Sequence, residues 1–205
     1  MQRKVKVGIM GCGKISTAYL DGCRRYDVLD VVACSDLIPE RAQAQAAKYG
    51  LRAVSVDDFF RDPEIELVVN LTVPQTHAAV NARALEAGKH VCCEKPFALS
   101  TRDGRQVLAL ARRQRRLVGC APDTFLGGGL QTARKLLDDG AIGRPVAALA
   151  FMMGHGPEGW HPSPRFYYQK GGGPLFDMGP YYLTAMINLF GPVARVCGLA
   201  QKHFS

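Results

Sequence analysis

The sequence predicts an α/β protein: an N-terminal Rossmann-type, doubly wound parallel sheet, followed by a second segment that contains both helices and strands. Three observations predict this fold class. Over about the first 120 residues, the apolar residues alternate between the period of a strand and that of a helix. A glycine-rich turn, residues 11–16, directly follows the first strand pattern. Beyond residue 122 the alternation ends, and segments rich in glycine and proline interrupt the chain.

The first predicted domain, residues 1–122, contains strands that alternate with helices. Strands are predicted at residues 5–10, 29–35, 66–72, 90–93 and 117–120. Helices are predicted at residues 13–25, 75–87 and 101–114, and one more is opened by Pro39 and closed by Gly50. Short β-branched strands separated by helices are typical of a parallel sheet that is covered on both faces.

The remaining residues, 123–205, show a different pattern. Helices are predicted at residues 127–139 and 175–190, and strands at 146–153 and 193–200. Residues 154–164 and 171–174 contain too much glycine and proline for either element. Since no closing element follows residue 200, we expect a C-terminally truncated or fragmentary chain.

Composition narrows the classes of function. The 205 residues carry a net charge of +8, and the densest basic run, residues 112–116, ends a predicted helix, where cations are favoured. No aromatic residues interleave with these arginines, so we do not expect nucleic-acid binding. The positive electrostatic field of the protein would also attract an anionic dinucleotide.

No apolar stretch approaches the roughly 18 residues of a membrane span. The first residues lead directly into a core strand without a leader pattern, so a cytoplasmic location is expected. The seven cysteines are odd in number and lack the paired spacing of a zinc site. We therefore expect reduced thiols and no metal. Cys34, Cys92, Cys93 and Cys120 lie in apolar runs and are expected in the core, whereas Cys12, in the glycine turn, could be partly exposed.

The turn at residues 11–16 has the spacing of a dinucleotide-binding fingerprint. Gly11 allows a tight turn, Gly13 allows close approach of a pyrophosphate, and Ser16 replaces the usual third small residue. Lys14 and Ile15, between them, are predicted to contact the cofactor. Helix N-terminal N–H groups would face the phosphates.

Asp36 follows the second strand, 20 positions after Ser16, where a carboxylate would bind the adenosine ribose. A carboxylate there repels a 2′-phosphate and favours NAD over NADP. Arg41 could accommodate a phosphate, so NADP stays possible. The alternative interpretation is that Asp36 only caps the helix that begins near Pro39.

Three further segments resemble one family, the Gfo/Idh/MocA oxidoreductases. Residues 87–96 (A-G-K-H-V-C-C-E-K-P) resemble its A-G-K-H-V-x-x-E-K-P signature. Residues 73–77 (V-P-Q-T-H) resemble its P-x-x-H loop, and residues 171–181 (G-G-G-P-L-F-D-M-G-P-Y) resemble its G-G-G-x-x-x-D-x-G-x-H segment. Together with the glycine turn, these motifs extend the resemblance over essentially the whole chain.

The resemblance implies roles for the motif residues. Lys95 would lie beside the nicotinamide and the reacting hydroxyl, where an ammonium can stabilise developing alkoxide charge. Glu94 would orient nearby groups, and Pro74 and His77 would belong to the cofactor site. The alternative for Lys95 is an ordinary lysine at the end of a strand.

The match departs from the family at residue 181. Asp177 matches the family's aspartate, whereas Tyr181 stands where a histidine is usual, four residues later and therefore on the same face of the predicted helix. We expect a Lys95–Tyr181 proton-transfer pair, with Asp177 orienting the substrate hydroxyl. A tyrosine is a poor base at neutral pH unless a cation lowers its pKa. Tyr181 could instead be only packed, and His161 is then the alternative base.

The resemblance also implies the activity. The expected function is NAD(P)-dependent hydride transfer to or from a sugar- or polyol-like substrate, with Trp160, His161 and Asp123 as candidate substrate contacts. The resemblance implies that residues 123–205 begin a substrate-binding and oligomerisation domain, an incomplete α+β domain with an open antiparallel sheet to which the two predicted strands would belong. The full-length protein would be a homo-oligomer. Two alternatives remain at this point: an NAD-dependent glycosidase without net redox change, and a non-catalytic dinucleotide-binding regulator.

Overall fold

A computed structural model of the chain describes residues 3–161 and 164–201. Its centre is a six-stranded sheet in which every neighbouring pair of strands is parallel, in the order β3-β2-β1-β4-β5-β6. The strands are β1 (Val5–Met10), β2 (Leu29–Ser35), β3 (Arg52–Ala53), β4 (Leu67–Asn70), β5 (His90–Cys93) and β6 (Val118–Cys120). This is the doubly wound arrangement that the alternating pattern predicts.

Helices join the strands and cover the sheet. They are α1 (Ser16–Cys23), α2 (Pro39–Tyr49), α3 (Val56–Arg61), α4 (His77–Glu86) and α5 (Thr101–Gln114). Sequence signals set their ends: α2 has proline in its first turn and ends at Gly50 in a left-handed conformation, and the Ser100 hydroxyl accepts the Asp103 N–H at the start of α5. The core consequently has two layers, one on each face of the sheet.

Strand β1 is central, and its last four residues are buried. Its register aligns Ile9 with Cys34 of β2 on one side and with Val69 of β4 on the other. The chain leaves β1 towards β2 and β3 and then crosses to β4. The order of the sheet therefore reverses between β1 and β4, and the carboxyl ends of these strands frame a crevice.

The chain divides into two compact units. The first contains the chain up to Ala121 together with Gly156–Asp177, and it includes the sheet and α7 (Gly173–Asp177). The second contains Pro122–His155 and the chain from Met178 onward, with α6 (Gly128–Asp138) and α8 (Gly179–Phe190). In the second unit, Arg134 of α6 donates to the carbonyl oxygens of Asn188 and Leu189 at the end of α8.

Two predictions for the C-terminal part are wrong. Residues 146–153 and 193–200 form no strand, and within the described residues no sheet other than the parallel one is present. Among the residues that the structure describes, neither segment has a hydrogen-bonded neighbouring strand, which a sheet requires, and apolar side chains such as Val146 (93% exposed) face solvent. The helix predicted at residues 175–190 is two helices, α7 and α8, separated at Met178.

Cysteine burial follows the prediction only in part. All seven cysteines are free, and Cys34 and Cys93 are buried as expected of small apolar side chains, whereas Cys92 is half-buried. Cys12, which its place in the glycine turn could have left partly exposed, is buried. Cys120, expected in the core, is exposed near the edge of the sheet, because β6 is the last strand on that side.

Candidate functional site

A crevice of about 560 Å³ opens at the carboxyl edge of the sheet, where the strand order reverses. The ends of three strands line it: Gly11 after β1, Asp36 after β2 and Thr72 after β4. Most of the exposed lining is apolar. A crevice in this position is where open parallel sheets bind their ligands.

The glycine turn forms one wall of this crevice. Gly11 has a φ of +100°, and a Cβ there would lie 2.7 Å from the carbonyl carbon and oxygen of Leu71. Glycine is therefore required both by the conformation and by the approach to the chain after β4. At Gly13 the space is open: no atom lies within 4 Å of a Cβ built there. The turn thus leaves room above Gly13 for the close backbone approach that a pyrophosphate makes.

The rest of the turn is stabilised by Ser16. Its side chain is buried, and its hydroxyl donates to the Gly13 carbonyl oxygen at 2.6 Å. The small side chain therefore fits where the helix packs on the sheet, as the fingerprint requires. Lys14 and Ile15 are exposed beside the turn.

Asp36 connects the end of β2 to the turn. Its Oδ2 accepts the backbone N–H of Cys12 at 2.7 Å, and its Oδ1 accepts the N–H of Ile38 at 2.8 Å. Since Ile38 is the N-cap of α2 and has no side-chain cap bond, Asp36 makes a local turn and does not cap the helix. Each carboxylate oxygen can accept more than one hydrogen bond, so the two backbone bonds leave acceptor capacity towards the crevice.

Side chains that sequence reasoning missed complete the far wall of the crevice. Arg83 of α4 donates to the Asp57 carboxylate, and its guanidinium lies 4.4 Å from the centre of the Phe60 ring. Arg83, Phe60 and the predicted Arg41 all line the crevice. The contact joins α3 to α4, which are far apart in the sequence, so no local motif predicts it.

At the end of β5, Lys95 forms an ion pair with Asp177. Its ammonium donates to Asp177 Oδ1 at 2.5 Å and to the Asp177 carbonyl oxygen at 2.7 Å. Both side chains are mostly screened from solvent. The neighbouring Glu94 accepts from the Tyr19 hydroxyl at 2.7 Å and from the Lys95 N–H at 2.9 Å. Two candidates from separate motifs, 82 positions apart, are therefore in direct contact.

His77 lies behind this segment and not at the surface of the crevice. Its side chain is only 1% exposed, and its ring nitrogens lie 2.7 Å from the Pro96 carbonyl oxygen and 2.8 Å from that of Thr72. Such a side chain holds two loops together and has no surface for a cofactor. Pro74, half-buried, begins the short 3₁₀ turn Pro74–Thr76 before α4.

The loop before α7 carries an aromatic cluster formed by Trp160, His161 and Tyr167. The three rings pack edge to face with centroids 5.3 to 5.9 Å apart. The Lys14 ammonium lies 5.3 Å from the Trp160 ring and donates to the Trp160 carbonyl oxygen at 3.4 Å. The cluster therefore adjoins the glycine turn.

Tyr167 is a second residue that sequence reasoning missed. Burial and, after it, the negative charge of Asp177 raise the pKa of the Tyr167 phenol. The phenol consequently keeps its proton at neutral pH and can act as a hydrogen-bond donor close to the Lys95–Asp177 pair. Only its place in the tertiary structure distinguishes it from Tyr168, which is exposed.

The remaining candidates lie in the second unit. Tyr181 is half-buried in the first turn of α8, and Asp123 is exposed just before the 3₁₀ turn Thr124–Leu126. Asp177 ends α7 and Tyr181 belongs to α8, so the two residues do not lie on one continuous helix.

The side chains in this region fit the parts of a dinucleotide. Within residues 3–161 and 164–201, no three His, Cys, Asp or Glu side chains come together as possible metal ligands. In the same part of the chain, no helix has the length and apolar character to cross a membrane. The open space above Gly13, the crevice and the acceptor oxygens of Asp36 all fit the phosphate, base and ribose of a dinucleotide.

Proteins of known sequence and structure resemble the chain over most of its length. It is 29% identical to the 1,5-anhydro-D-fructose reductase of Ensifer adhaerens over 176 residues, which cover 83% of the chain and 52% of that protein. It is 32% identical to the dTDP-3,4-didehydro-2,6-dideoxy-alpha-D-glucose 3-reductase of Streptomyces violaceoruber over 204 residues, which cover 98% of the chain and 59% of that protein. The chain thus spans somewhat more than half the length of these relatives.

A solved structure shows the same fold. The NAD binding oxidoreductase from Klebsiella pneumoniae superimposes with a TM-score of 0.74 at 25% identity, over 92% of this chain and 54% of that one. Residues 5–121 match the model of the oxidoreductase family with an NAD-binding Rossmann fold, and residues 130–205 match the Gfo/Idh/MocA C-terminal domain. Because both models match in order along one chain, the chain belongs to the Gfo/Idh/MocA oxidoreductase family.

Proposed function

We propose that the protein is an NAD(P)-dependent oxidoreductase that transfers a hydride between the nicotinamide cofactor and a hydroxyl or carbonyl group of a sugar- or polyol-like substrate. The observation that carries this proposal is the Lys95–Asp177 ion pair at the carboxyl edge of the sheet. Family membership, and relatives whose names identify them as sugar reductases, support the same reaction and substrate class.

The dinucleotide would be held by the glycine turn and the crevice. Gly11 and Gly13 would admit the pyrophosphate, with Lys14 and Ile15 beside it, and Asp36 would accept the ribose hydroxyls. The negative charge of Asp36 favours NAD, and Arg41 in the same crevice keeps NADP possible. Pro74 would contribute to the wall after β4, and Glu94, fixed by Tyr19, would border the nicotinamide end.

When bound, the nicotinamide supplies the group that accepts or donates the hydride. The chain supplies charge and orientation. The Lys95 ammonium would stabilise the negative charge that develops on the substrate oxygen, and Asp177 would hold the ammonium in place and accept a hydrogen bond from the substrate hydroxyl. Both groups are mostly screened from solvent, which strengthens these interactions relative to water.

Tyr181 is the proposed proton carrier, and His161 is the alternative. His161 packs against Trp160 and Tyr167 in the loop before α7, so it is restrained and not simply a solvated loop histidine. Trp160, His161 and Asp123 are proposed substrate contacts.

We also propose that the domain boundary lies between residues 122 and 123, and that the full-length protein is a cytoplasmic homo-oligomer that does not bind nucleic acid. Sedimentation of the purified full-length protein measures its oligomeric state. Sedimentation in the presence of a generic duplex DNA tests whether it binds nucleic acid.

The test of function uses NAD and a panel of sugars and polyols, with nicotinamide absorbance as the readout. We expect turnover with at least one member of the panel and a loss on the order of 100-fold or more in Lys95→Met, because charge stabilisation in such sites contributes several kcal/mol. Tyr181→Phe and His161→Asn compare the two proton carriers.

Turnover that is unchanged in Lys95→Met would overturn the proposal. Cleavage of an aryl glycoside without net NADH formation would indicate the glycosidase alternative instead. Binding of NADH without any turnover in the full-length protein would favour a regulator.

A further inference from the structure

Behind the Lys95 segment lies a buried polar network that the proposed reaction does not use directly. Its members are Asn70 at the end of β4, Thr72 in the following loop, and His77 and Asn81 of α4. Asn70, His77 and Asn81 are 1% exposed or less. Polar groups this deep are costly unless they are hydrogen-bonded, so their arrangement is specific.

Asn70 anchors this network to the sheet. Its amide nitrogen donates to Asn81 Oδ1 at 2.8 Å and to the His77 carbonyl oxygen at 3.2 Å. Its amide oxygen accepts from the Thr72 hydroxyl at 2.7 Å and from the Thr72 N–H at 3.2 Å. The first residue of α4 and the loop before it are therefore both fixed to β4.

The His77 ring connects this network to the neighbouring loop, which contains Pro96. Nε2 faces the Thr72 carbonyl oxygen, and Nδ1 faces the Pro96 carbonyl oxygen at 2.7 Å. A carbonyl oxygen only accepts hydrogen bonds and a neutral imidazole carries one N–H, so the tautomer with its proton on Nδ1 donates to the Pro96 carbonyl oxygen. Pro96 directly follows Lys95, whose own N–H is bound by the Glu94 side chain. The backbone of Lys95 is thus restrained on both sides.

We propose that His77 is a positioning residue that sets the place of the Lys95 ammonium through its hydrogen bond to the Pro96 carbonyl oxygen. The path runs from Asn70 in the sheet through His77 and Pro96 to Lys95 and its partner Asp177. Support of this kind matters because a displacement of about 1 Å at a reacting group can lower a rate by about 100-fold. The catalytic consequence rests on the proposed function; the geometric one does not.

The same contacts predict a selective effect on the site. A His77→Leu variant loses the ring contact with the Thr72 carbonyl oxygen, but Thr72 keeps both of its bonds to Asn70, so the crevice wall should hold its position. The tie to Pro96 is lost. We therefore expect kcat to fall roughly 10- to 100-fold while the Kd for NADH changes by less than about threefold. His77→Gln, whose amide can still donate, should restore part of the loss.

The experiment observes Lys95 itself. In protein labelled with ¹³C and ¹⁵N at lysine, the side-chain Cε–Nζ signal of Lys95 is assigned by its absence in Lys95→Met. Asp177→Asn shows how far the signal moves when the ion pair is broken. His77→Leu should move it in the same direction. His90→Leu is the matched control, because the His90 ring also binds a backbone group, the Leu117 N–H, but at the opposite end of β5.

A Lys95 signal that moves in Asp177→Asn but stays at its wild-type position in His77→Leu overturns the proposal. If neither His77 variant folds, the wild-type protein decides: a slowly exchanging proton on His77 Nδ1 supports the tie to Pro96, and its absence overturns it. Unchanged turnover in Lys95→Met would instead refute the proposed function. The positioning role of His77 would then be decided by the Lys95 side-chain signal in His77→Leu alone.

Discussion

The carboxylate of Asp36 lies 2.7 Å from the backbone nitrogen of Cys12, so the end of β2 is hydrogen-bonded to the glycine turn. One side chain therefore both shapes the turn and presents a negative charge to the crevice. Shape and charge make separate contributions to dinucleotide binding, and substitution can distinguish them.

In an Asp36→Ser variant, we expect the Kd for NADH to rise roughly 10- to 100-fold, because hydrogen bonds to a charged group contribute about 1.5–3 kcal/mol. The Kd for NADPH should rise less, since the repulsion of its 2′-phosphate disappears. Fluorescence titration with both cofactors measures the ratio. Glu40→Ser removes an acidic residue from the first turn of α2 as a control, and an equal effect of the two substitutions would contradict the role of Asp36.

Alanine substitutions at the two glycines of the turn should affect different properties: the stability of the fold at Gly11 and the affinity for NADH at Gly13. Gly11→Ala forces a Cβ to 2.7 Å from the Leu71 carbonyl at a φ of +100°, and we expect the free energy of unfolding to fall by about 1–3 kcal/mol. Gly13→Ala meets no atom within 4 Å. Its free energy of unfolding should stay within about 0.5 kcal/mol of the wild type, while the Kd for NADH rises roughly tenfold or more.

Urea unfolding and NADH titration of both variants test this contrast. A Gly13→Ala variant that is destabilised as strongly as Gly11→Ala, or that binds NADH normally, would show that the space above Gly13 is not where the pyrophosphate lies.

Trp160 is the sole tryptophan, so its fluorescence reports on the contact with Lys14. We expect NADH to quench this fluorescence, because the glycine turn that would bind the pyrophosphate adjoins the indole. Lys14→Gln should alter the emission of the free protein, since the cation beside the ring is lost. Lys48→Gln, which removes a lysine beside Tyr49, is the control. Emission that NADH leaves unchanged at saturation would separate Trp160 from the cofactor site.

The buried Lys89 ammonium should make the free energy of unfolding depend on pH in the alkaline range. Burial lowers the pKa of its ammonium from the ordinary 10.5, and the charge of Asp62 only partly offsets this. Between the lowered value and 10.5, the unfolded chain binds more protons than the folded chain. The contribution of Lys89 to stability therefore rises with pH across that window.

The comparison of wild type with Lys89→Met isolates this effect. The difference in unfolding free energy should move in favour of the wild type as the pH rises through the window between the lowered pKa of Lys89 and 10.5. Lys4→Met controls for the loss of an exposed lysine. A difference that is constant or declines over this range would refute the assignment.

Local sequence patterns were sufficient for the first domain. All five strands and four helices that they predict in residues 1–122 are present, because burial on both faces of a sheet imposes a period that short segments show by themselves. The two elements that were missed, β3 and α3, are two and six residues long. Segments this short do not establish a period.

Beyond residue 122 the patterns were less informative. Residues 146–153 and 193–200 have the apolar residues of strands, but a strand exists only when another chain segment takes up its hydrogen bonds. The division between α7 and α8 was likewise missed, because the sequence 175–190 is apolar throughout.

The sequence by itself determined the parallel sheet, the glycine turn and the placement of Asp36 and Lys95 at strand ends, because each depends on residues close together in the chain. Only the tertiary structure decided that Lys95 is paired with Asp177, that His77 is buried behind the site, and that Tyr167 stands beside it. These relations join segments tens of residues apart. Their free energy comes from packing and desolvation that no local pattern records.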